Sequence, residues 1–395
     1  MEGQNSTPQS ISADEIALYD RQIRLWGVKA QEKLRSANIL LITFKALANE
    51  VAKNLVLAGI GTLTIIDHET VGEEDLGAQF FVTEDQLGQN RAQAASAAIH
   101  AMNPRVQLRI DTDDVRSKQA DFFGQFDVTI ATELDFATYT TINAACRIAN
   151  RPFYAAGLHG FYGFIFADLI THDFVIERSK SNAPSTTQET PTRSIVNITT
   201  KKENDKVIEM VTKRETYSPL ILANTSPLPE DFTRLPRRRR QVTPLLTCLR
   251  ALWEFQKMSN HMPTFSHQDL ELFTRLAREA HQELKLDIST LDSEFLRTFL
   301  QNLGSELSPV AAFVGGKLAQ DVINVLSARE QPIQNLLLFD GEKSLSPIYP
   351  LHPFFPPEVQ NVLPAMPPVA NPIPLDADPV TGPTMTLPSL PRPTN

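Results

Sequence analysis

Cysteine is nearly missing from this sequence: Cys146 and Cys248 are the only two in 395 residues. Two thiols cannot build a disulfide framework or a four-cysteine zinc site, and the expectation is a reducing, intracellular compartment. No run of 18 apolar residues occurs, so no membrane-spanning helix is expected. The opening MEGQNSTPQSISADE is too polar and acidic for a secretory leader. Basic charge is in deficit, with a formal net charge of −9. A nucleic-acid binder usually presents a basic face, so that class of partner is set aside. Internal repeats are also missing. What is present, 42% hydrophobic and 21% charged residues, describes a globular chain with room for one large or two ordinary domains.

A further absence is local. From 38 to 69 the chain reads NILLITFKALANEVAKNLVLAGIGTLTIIDHE. The apolar runs at 38–42 and 62–67 have strand length. Between them Val51, Ala52, Leu55, Val56 and Ala58 recur at helical spacing, with Gly59 placed to end the helix and Asp67 closing the second strand. This is the layout of a dinucleotide-binding fingerprint, in which G-x-G-x-x-G links the first strand to the helix. Here Thr43, Phe44, Lys45, Ala46, Leu47 and Ala48 stand in that place, and all three glycines are gone. A phosphate turn needs glycine where φ is positive and where a Cβ would hold the phosphate off the backbone amides. Phe44 and Lys45 fill that space. The unit reads as a scaffold, with the Lys45 ammonium left as an alternative phosphate contact.

The flanking chain is an α/β pattern. Ser12 and Glu15 form a capping box ahead of a helix whose apolar stripe runs through Ile16, Tyr19, Ile23 and Trp26, and Gly27 ends it. A short helix at 30–36 leads into the first strand. An alanine-rich helix is expected at 91–102, strands at 106–110, 128–132 and 152–156, a helix at 136–150, and a hairpin made of 162–169 and 174–177. Alternating strands and helices imply a mostly parallel sheet. Residues 179–206 are rich in Ser, Thr, Asn and Lys and are expected to be flexible, with one strand at 207–211. Helical spacing returns over 243–303, then in a buried helix at 310–326 and a strand at 336–339. From 351 on, 13 of 45 residues are proline, and a disordered tail is expected, as for residues 1–10.

Specific motifs then stand out: YDRQIRLWG (19–27), KNLVLAGIGTLTIIDHE (53–69), GAQFF (77–81), GQNRAQAA (88–95), VAAFVGGKLAQDVI (310–323) and LLLFDG (336–341). With them the chain resembles the enzymes that activate ubiquitin-like modifiers, relatives of the bacterial adenylyltransferases MoeB and ThiF. The resemblance implies a Rossmann-like adenylation fold over 11–178 and 305–350. Between them, 179–304 would be a flexible loop and a helical insertion, the cysteine-less counterpart of a catalytic-cysteine domain. Such enzymes pair two pseudo-symmetric modules, one of which adenylates the modifier's C-terminus while the other is inactive.

The resemblance also assigns residues. Asp67 matches the acid that holds the ATP ribose. A motif of the form N-x-N-R-Q-F is replaced by residues in which Gly77 and Ala78 stand for Asn and Arg. Arg91 matches a phosphate-binding lysine, and Asp135, in ELDFAT, matches a magnesium-facing aspartate but lacks the Asn-Arg that follows it. No complete site survives, so ATP and magnesium are expected on a larger, cysteine-bearing partner subunit and none on this chain. Arg21, in YDRQIR, matches an arginine that reaches the partner's ATP phosphates, as a planar, permanently charged guanidinium can. Its bland alternative is a solvated charge on an amphipathic helix, and Arg24 is expected to support the interface. Cys146 and Cys248 have apolar neighbours and read as small buried hydrophobes. Chain length and YDRQIRLWG favour the SUMO-activating branch of the family, with SUMO and the conjugating enzyme met through the complex. Other modifiers, a homodimeric MoeB-like adenylyltransferase and an NAD-dependent oxidoreductase are the alternatives. Arg237, Arg238, Arg239 and Arg240 read either as a nuclear import signal or as a basic loop. A largely nuclear protein with some cytoplasmic fraction is the expectation that goes with the family.

Overall fold

The computed structural model describes residues 11–180, 187–203 and 206–353. The expected disorder of 1–10 and of the tail lies outside these residues, except at the tail's first three positions. There Leu351 is buried, and His352 Nδ1 lies 2.8 Å from Ser218 Oγ, so the ordered fold runs a little past 350.

Helices α1 (Ala13–Leu18), α2 (Asp20–Trp26) and α3 (Val28–Ser36) lead into strand β1 (Asn38–Ile42). Helix α4 (Ala46–Ala58), strand β2 (Thr62–Ile66) and the short α5 (Glu73–Ala78) follow. Then come α6 (Arg91–Met102), β3 (Gln107–Asp111), α7 (Ala120–Phe123), β4 (Val128–Thr132) and α8 (Phe136–Ile148). β5 (Phe153–His159) and β6 (Tyr162–Asp168) complete the first pass. After the insertion the chain returns through α15 (Ser308–Ser327), β11 (Asn335–Asp340) and β12 (Ile348–Tyr349).

The main sheet has eight strands in the order β12-β11-β6-β5-β4-β1-β2-β3. The five strands β3, β2, β1, β4 and β5 are mutually parallel, while β6, β11 and β12 run antiparallel. Both faces are covered, which is why β1 is a continuous apolar run. Ile39 and Leu41 pack with Leu47, Val51, Val314 and Leu318 on one face. Leu40 and Ile42 pack with Phe136, Phe153 and Leu249 on the other.

Two expectations are corrected. The hairpin is β5 with β6, paired from Phe153↔Asp168 to His159↔Tyr162, and not 162–169 with 174–177. And most of the segment expected to be flexible is sheet. β7 (Thr171–Ser179), β8 (Gln188–Thr190), β9 (Arg193–Glu203) and β10 (Lys206–Thr216) form a four-stranded antiparallel sheet in the order β7-β10-β9-β8. β9, RSIVNITTKKE, is polar because much of it faces solvent, yet its β-branched residues suit a pleated ribbon.

Short helices α9 (Leu220–Thr225), α10 (Glu230–Thr233) and α11 (Pro236–Arg239) precede the longer α12 (Pro244–Ser259), α13 (His267–Glu283) and α14 (Ser293–Gln301). These helices share a core with the main sheet: the Trp253 ring lies 5.2 Å from Phe136 and 5.5 Å from Phe164. The buried helix α15 (Ser308–Ser327) then packs along α4, and β11 (Asn335–Asp340) and β12 (Ile348–Tyr349) close the sheet. Gly315 permits that close approach, since a Cβ there would fall 2.6 Å from Glu50 Cβ and 3.2 Å from the Leu47 carbonyl. No helix among the described residues is long and apolar enough to cross a membrane.

Candidate functional site

In an open α/β sheet, ligands bind where neighbouring parallel strands send their connections to opposite faces. That point lies between β1 and β4. Thr43, just after β1, takes a left-handed conformation (φ 64°), the geometry a phosphate turn gives to glycine. Phe44 is fully buried against Phe81, and its N–H donates to Asp67 Oδ2 at 2.7 Å. Lys45 is the N-cap of α4. In the first turn of α4, the Ala46 N–H donates to Glu306 Oε1 at 3.0 Å. A helix N-terminus that could receive a phosphate therefore already holds a carboxylate from a distant part of the chain. Leu47 and Ala48 are wholly buried and offer the crevice nothing polar.

Glu133, following β4, also has a left-handed backbone (φ 52°), and its Oε1 accepts the Leu158 N–H at 2.8 Å. Desolvation raises the Glu133 carboxyl to about 8, the charge on Glu306 adds to the rise, and Lys45 works against it. Glu306 is raised for the same first reason, burial, again opposed by Lys45. The ammonium that sequence reading left for phosphate thus sits with two carboxyls of its own chain.

Asp67 and Arg91 are brought together. Arg91 opens α6, whose N-cap is Asn90, and its guanidinium reaches three acids: Asp67 (2.8 Å), Asp75 (3.2 Å) and Glu69 (2.5 Å). Arg91, Asp67 and Asp75 are 2%, 3% and 1% exposed. Burial alone would loosen the Arg91 proton, but the hydrogen bond and charge of Asp67, with Asp75 and Glu69, outweigh it and hold the guanidinium charged. Asp67 Oδ1 also accepts the Glu69 N–H at 3.0 Å. With Phe44 and Arg91 on Oδ2, its acceptor capacity is used from within, and a ribose would find no free oxygen. Asp75 Oδ2 caps Gly72 at 2.9 Å and Oδ1 receives the Gln79 amide. Ala78, at the end of α5, packs on the core with no polar atom to offer.

Asp135 is the N-cap of α8. It accepts the Thr138 N–H (2.8 Å) and hydroxyl (2.7 Å), and pairs with Arg116 at 2.8 Å. Burial pushes its carboxyl up, but the Arg116 and Thr138 hydrogen bonds hold it below the usual aspartate value. The geometry gives it a cap's work. No group of three or more His, Cys, Asp or Glu that could hold a metal ion occurs among the described residues. Cys146 and Cys248 are fully buried, and burial pushes the Cys146 thiol to about 12 and the Cys248 thiol higher still. Neither is a ready nucleophile.

The N-terminal helices behave differently. The Ser12–Glu15 capping box forms as expected. Tyr19 is buried where α1 meets α2. Its hydroxyl accepts from Asn103 Nδ2 at 2.8 Å, and a Cβ on Gly59 would fall 2.5 Å from its ring. Gln22 donates to the Leu57 carbonyl (3.2 Å) and Trp26 to Gln31 (3.0 Å), which in turn donates to the Ala58 carbonyl (2.8 Å). Half of YDRQIRLWG is thus an anchor. The other half faces out: Arg21 is exposed and, among the described residues, has no hydrogen-bond or ion-pair partner. Arg24 pairs with Asp20 at 2.8 Å. On the same run of chain as Arg21, Leu18 (59%), Leu25 (76%) and Val28 (43%) are exposed, as is Leu57 (44%), whose carbonyl holds Gln22.

Sequence reasoning missed Glu133 and Glu306. Glu133 opens ELDFAT but has no role in the match that picks out Asp135, Glu306 belongs to no motif, and only the tertiary fold sets a residue after β4 beside one before α15.

The ThiF family model matches residues 19–354. Among curated proteins, the DNA damage tolerance protein RHC31 of Saccharomyces cerevisiae is 37% identical over 340 residues, covering 84% of this chain and 96% of its own. The DNA damage tolerance protein rad31 of Schizosaccharomyces pombe is 37% identical over 343 residues, 87% of this chain and 99% of its own. SUMO-activating enzyme subunit 1 of Homo sapiens is 33% identical over 336 residues, 84% and 94% respectively.

Proposed function

This chain belongs to the ThiF family, and we propose that it is the non-catalytic subunit of a SUMO-activating enzyme, assembled with a larger subunit that performs the chemistry. ThiF-family adenylation enzymes use ATP and magnesium; in this proposal the larger subunit holds both. One observation carries the assignment: groups with which the fold would take a nucleotide are satisfied from within, the Ala46 N–H in the first turn of α4 by Glu306 and the Asp67 carboxylate by Phe44, Glu69 and Arg91. The residues present do not fit ATP, so no step is assigned to this crevice. The cysteine that takes the modifier as a thioester also belongs to the partner, because Cys146 and Cys248 are buried and undissociated.

What this chain supplies is Arg21. An exposed guanidinium without a partner among the described residues, on a run of chain with exposed leucines, suits a helix that seats on an apolar surface and delivers one charge across it. There it offsets charge that develops on phosphate oxygens of the partner's nucleotide. Arg24 lies on the same helix and supports that seating. SUMO and the conjugating enzyme are engaged through the complex. The SUMO assignment draws on the name of the human relative. A nuclear location with a cytoplasmic fraction goes with it and is checked by imaging the tagged chain.

The test is ATP–pyrophosphate exchange with SUMO present. This chain alone should give none, and addition of the larger subunit should restore it. Exchange by this chain alone, or tight ATP binding to it, would sink the assignment.

A further inference from the structure

The turn carrying Arg237, Arg238, Arg239 and Arg240 has no part in that reading. α11 is a single helical turn with Pro236 at its start. Arg238 Nη1 donates to the Asp231 carbonyl (3.1 Å) and Arg239 Nη2 to the Thr233 carbonyl (2.7 Å). Both are held by neutral oxygens, so position is fixed while charge is left uncompensated. Arg239 Nε is buried and has no hydrogen-bond partner among the described residues. Beside it opens a cleft of about 240 Å³ lined by Arg239, Arg240, Lys285, Asp287 and Thr290. Lys285 reaches it from the end of α13 on a left-handed backbone (φ 56°).

Three cations and one carboxylate therefore face the cleft. The Asp287 carboxylate accepts the Ser289 N–H (3.1 Å) and feels the charge of Arg240. The Thr290 hydroxyl donates to the Asp287 carbonyl at 2.7 Å. None of Arg239, Arg240 and Lys285 forms an ion pair within 4.0 Å among the described residues, in a chain that is otherwise acidic.

We propose that this cleft binds a dianionic phosphate group carried on a phosphorylated side chain of a partner protein. Three features favour that ligand. The cleft is smaller than the roughly 300–1,000 Å³ of pockets for whole small molecules, so it suits a single group. A preset guanidinium fork with unused N–H groups matches phosphate oxygens better than a lone ammonium does. And a nucleic acid would need a long basic stripe, which a one-turn helix does not make. The proposal does not rest on the SUMO assignment.

The test is calorimetric titration of the full chain, in low-salt buffer free of phosphate, with O-phosphoserine, inorganic phosphate, serine and a single-stranded oligonucleotide. O-phosphoserine should saturate one site, at least as tightly as inorganic phosphate, while serine shows no binding. Arg239→Gln and Lys285→Gln should each weaken it about tenfold or more, the loss expected for one charge-assisted hydrogen bond. Arg234→Gln, an exposed arginine outside the cleft, should leave it unchanged. Lys285 is exposed, so its variant keeps the test alive if Arg239→Gln fails to fold. Overturning results are no saturable binding, equal losses in all three variants, inorganic phosphate bound more tightly than O-phosphoserine, or an oligonucleotide preferred to both.

Discussion

The crevice between β1 and β4 and the outer face of α2 are opposites in how they treat polar groups. In the crevice three groups that could meet a nucleotide are already met: Ala46 N–H by Glu306, Asp67 by Phe44, Glu69 and Arg91, Asp135 by Thr138 and Arg116. On α2, Arg21 has no partner among the described residues and its neighbours Leu18 and Leu25 lie open to water. A buried polar group without a partner is costly, so a site that gives up its ligand must be refilled from within. An exposed charge on an apolar face costs little alone and gains from a partner that desolvates it. Loss of function in one region and gain in the other follow from the same accounting of hydrogen bonds.

The largest effect should come from the open side. Arg21→Ala is expected to leave the heterodimer assembled and slow SUMO adenylation by about 10³-fold or more, the range seen when an arginine finger is removed. Arg21→Lys should recover only part of the rate, because a point charge lacks the planar fork. Unchanged exchange would make Arg21 a solvated charge and erase the contrast. Next in size is the closed side. Arg91→Ala removes the one cation shared by the buried Asp67 and Asp75 and should destabilise the chain by about 3–5 kcal/mol in urea unfolding. If Arg91 were instead a working phosphate contact, the variant would lose ATP affinity at nearly full stability.

How much of this was legible beforehand depends on distance along the chain. Helix 91–102 and strand 128–132 were read with the bounds they have, since each is fixed by a local pattern and a clear stop. The missing glycines and the burial of both cysteines were equally local. Pairing was not. Residues 174–177 have a strand's composition, but β7 joins β10, far along the sequence, and β6 turns back on β5. β9 was lost because its Ser, Thr and Lys satisfy a test for flexibility, although Ile195, Val196, Ile198, Thr199 and Thr200 are a strand signal. For the site, motif matches located Asp67 and Arg91 but could not say that they bond to each other. Glu306 carried no signal, because its role is set by a tertiary contact with Ala46.

A smaller effect probes the carboxyls that fill the crevice. Glu133 is raised from 4.5 to about 8 in the folded chain, so between those values the folded state keeps a proton that the unfolded state has released. Stability then falls as pH rises through that window. His159, His172 and His352 are each lowered to about 4 by burial and tilt stability the other way below their ordinary value. The clean readout is therefore the difference between Glu133→Gln and the parent. Glutamine can still accept the Leu158 N–H and does not ionise, so the variant should gain on the parent steadily from pH 5 to pH 8, most of all near 8. A difference that stays flat with pH would mean that the Glu133 carboxyl titrates normally and that the crevice is wetter than its packing implies.

The smallest effect falls one turn from the largest. Arg24 and Asp20 form an i, i+4 pair at 2.8 Å with the arginine side chain 76% exposed. Pairs of that kind contribute about 0.5 kcal/mol or less, and salt screens them. Arg24→Ala should therefore leave the melting of this chain almost unchanged. Arg24 shares α2 with Arg21 but already has a carboxylate partner, so its removal should leave the adenylation rate at saturating partner near the parent's and affect, at most, the concentration of partner needed to reach it. A rate loss comparable to that of Arg21→Ala, with assembly intact, would move the catalytic arginine or divide the role between the two. An unchanged rate beside a large Arg21 effect would narrow the contribution of this helix to Arg21, which has no partner among the described residues.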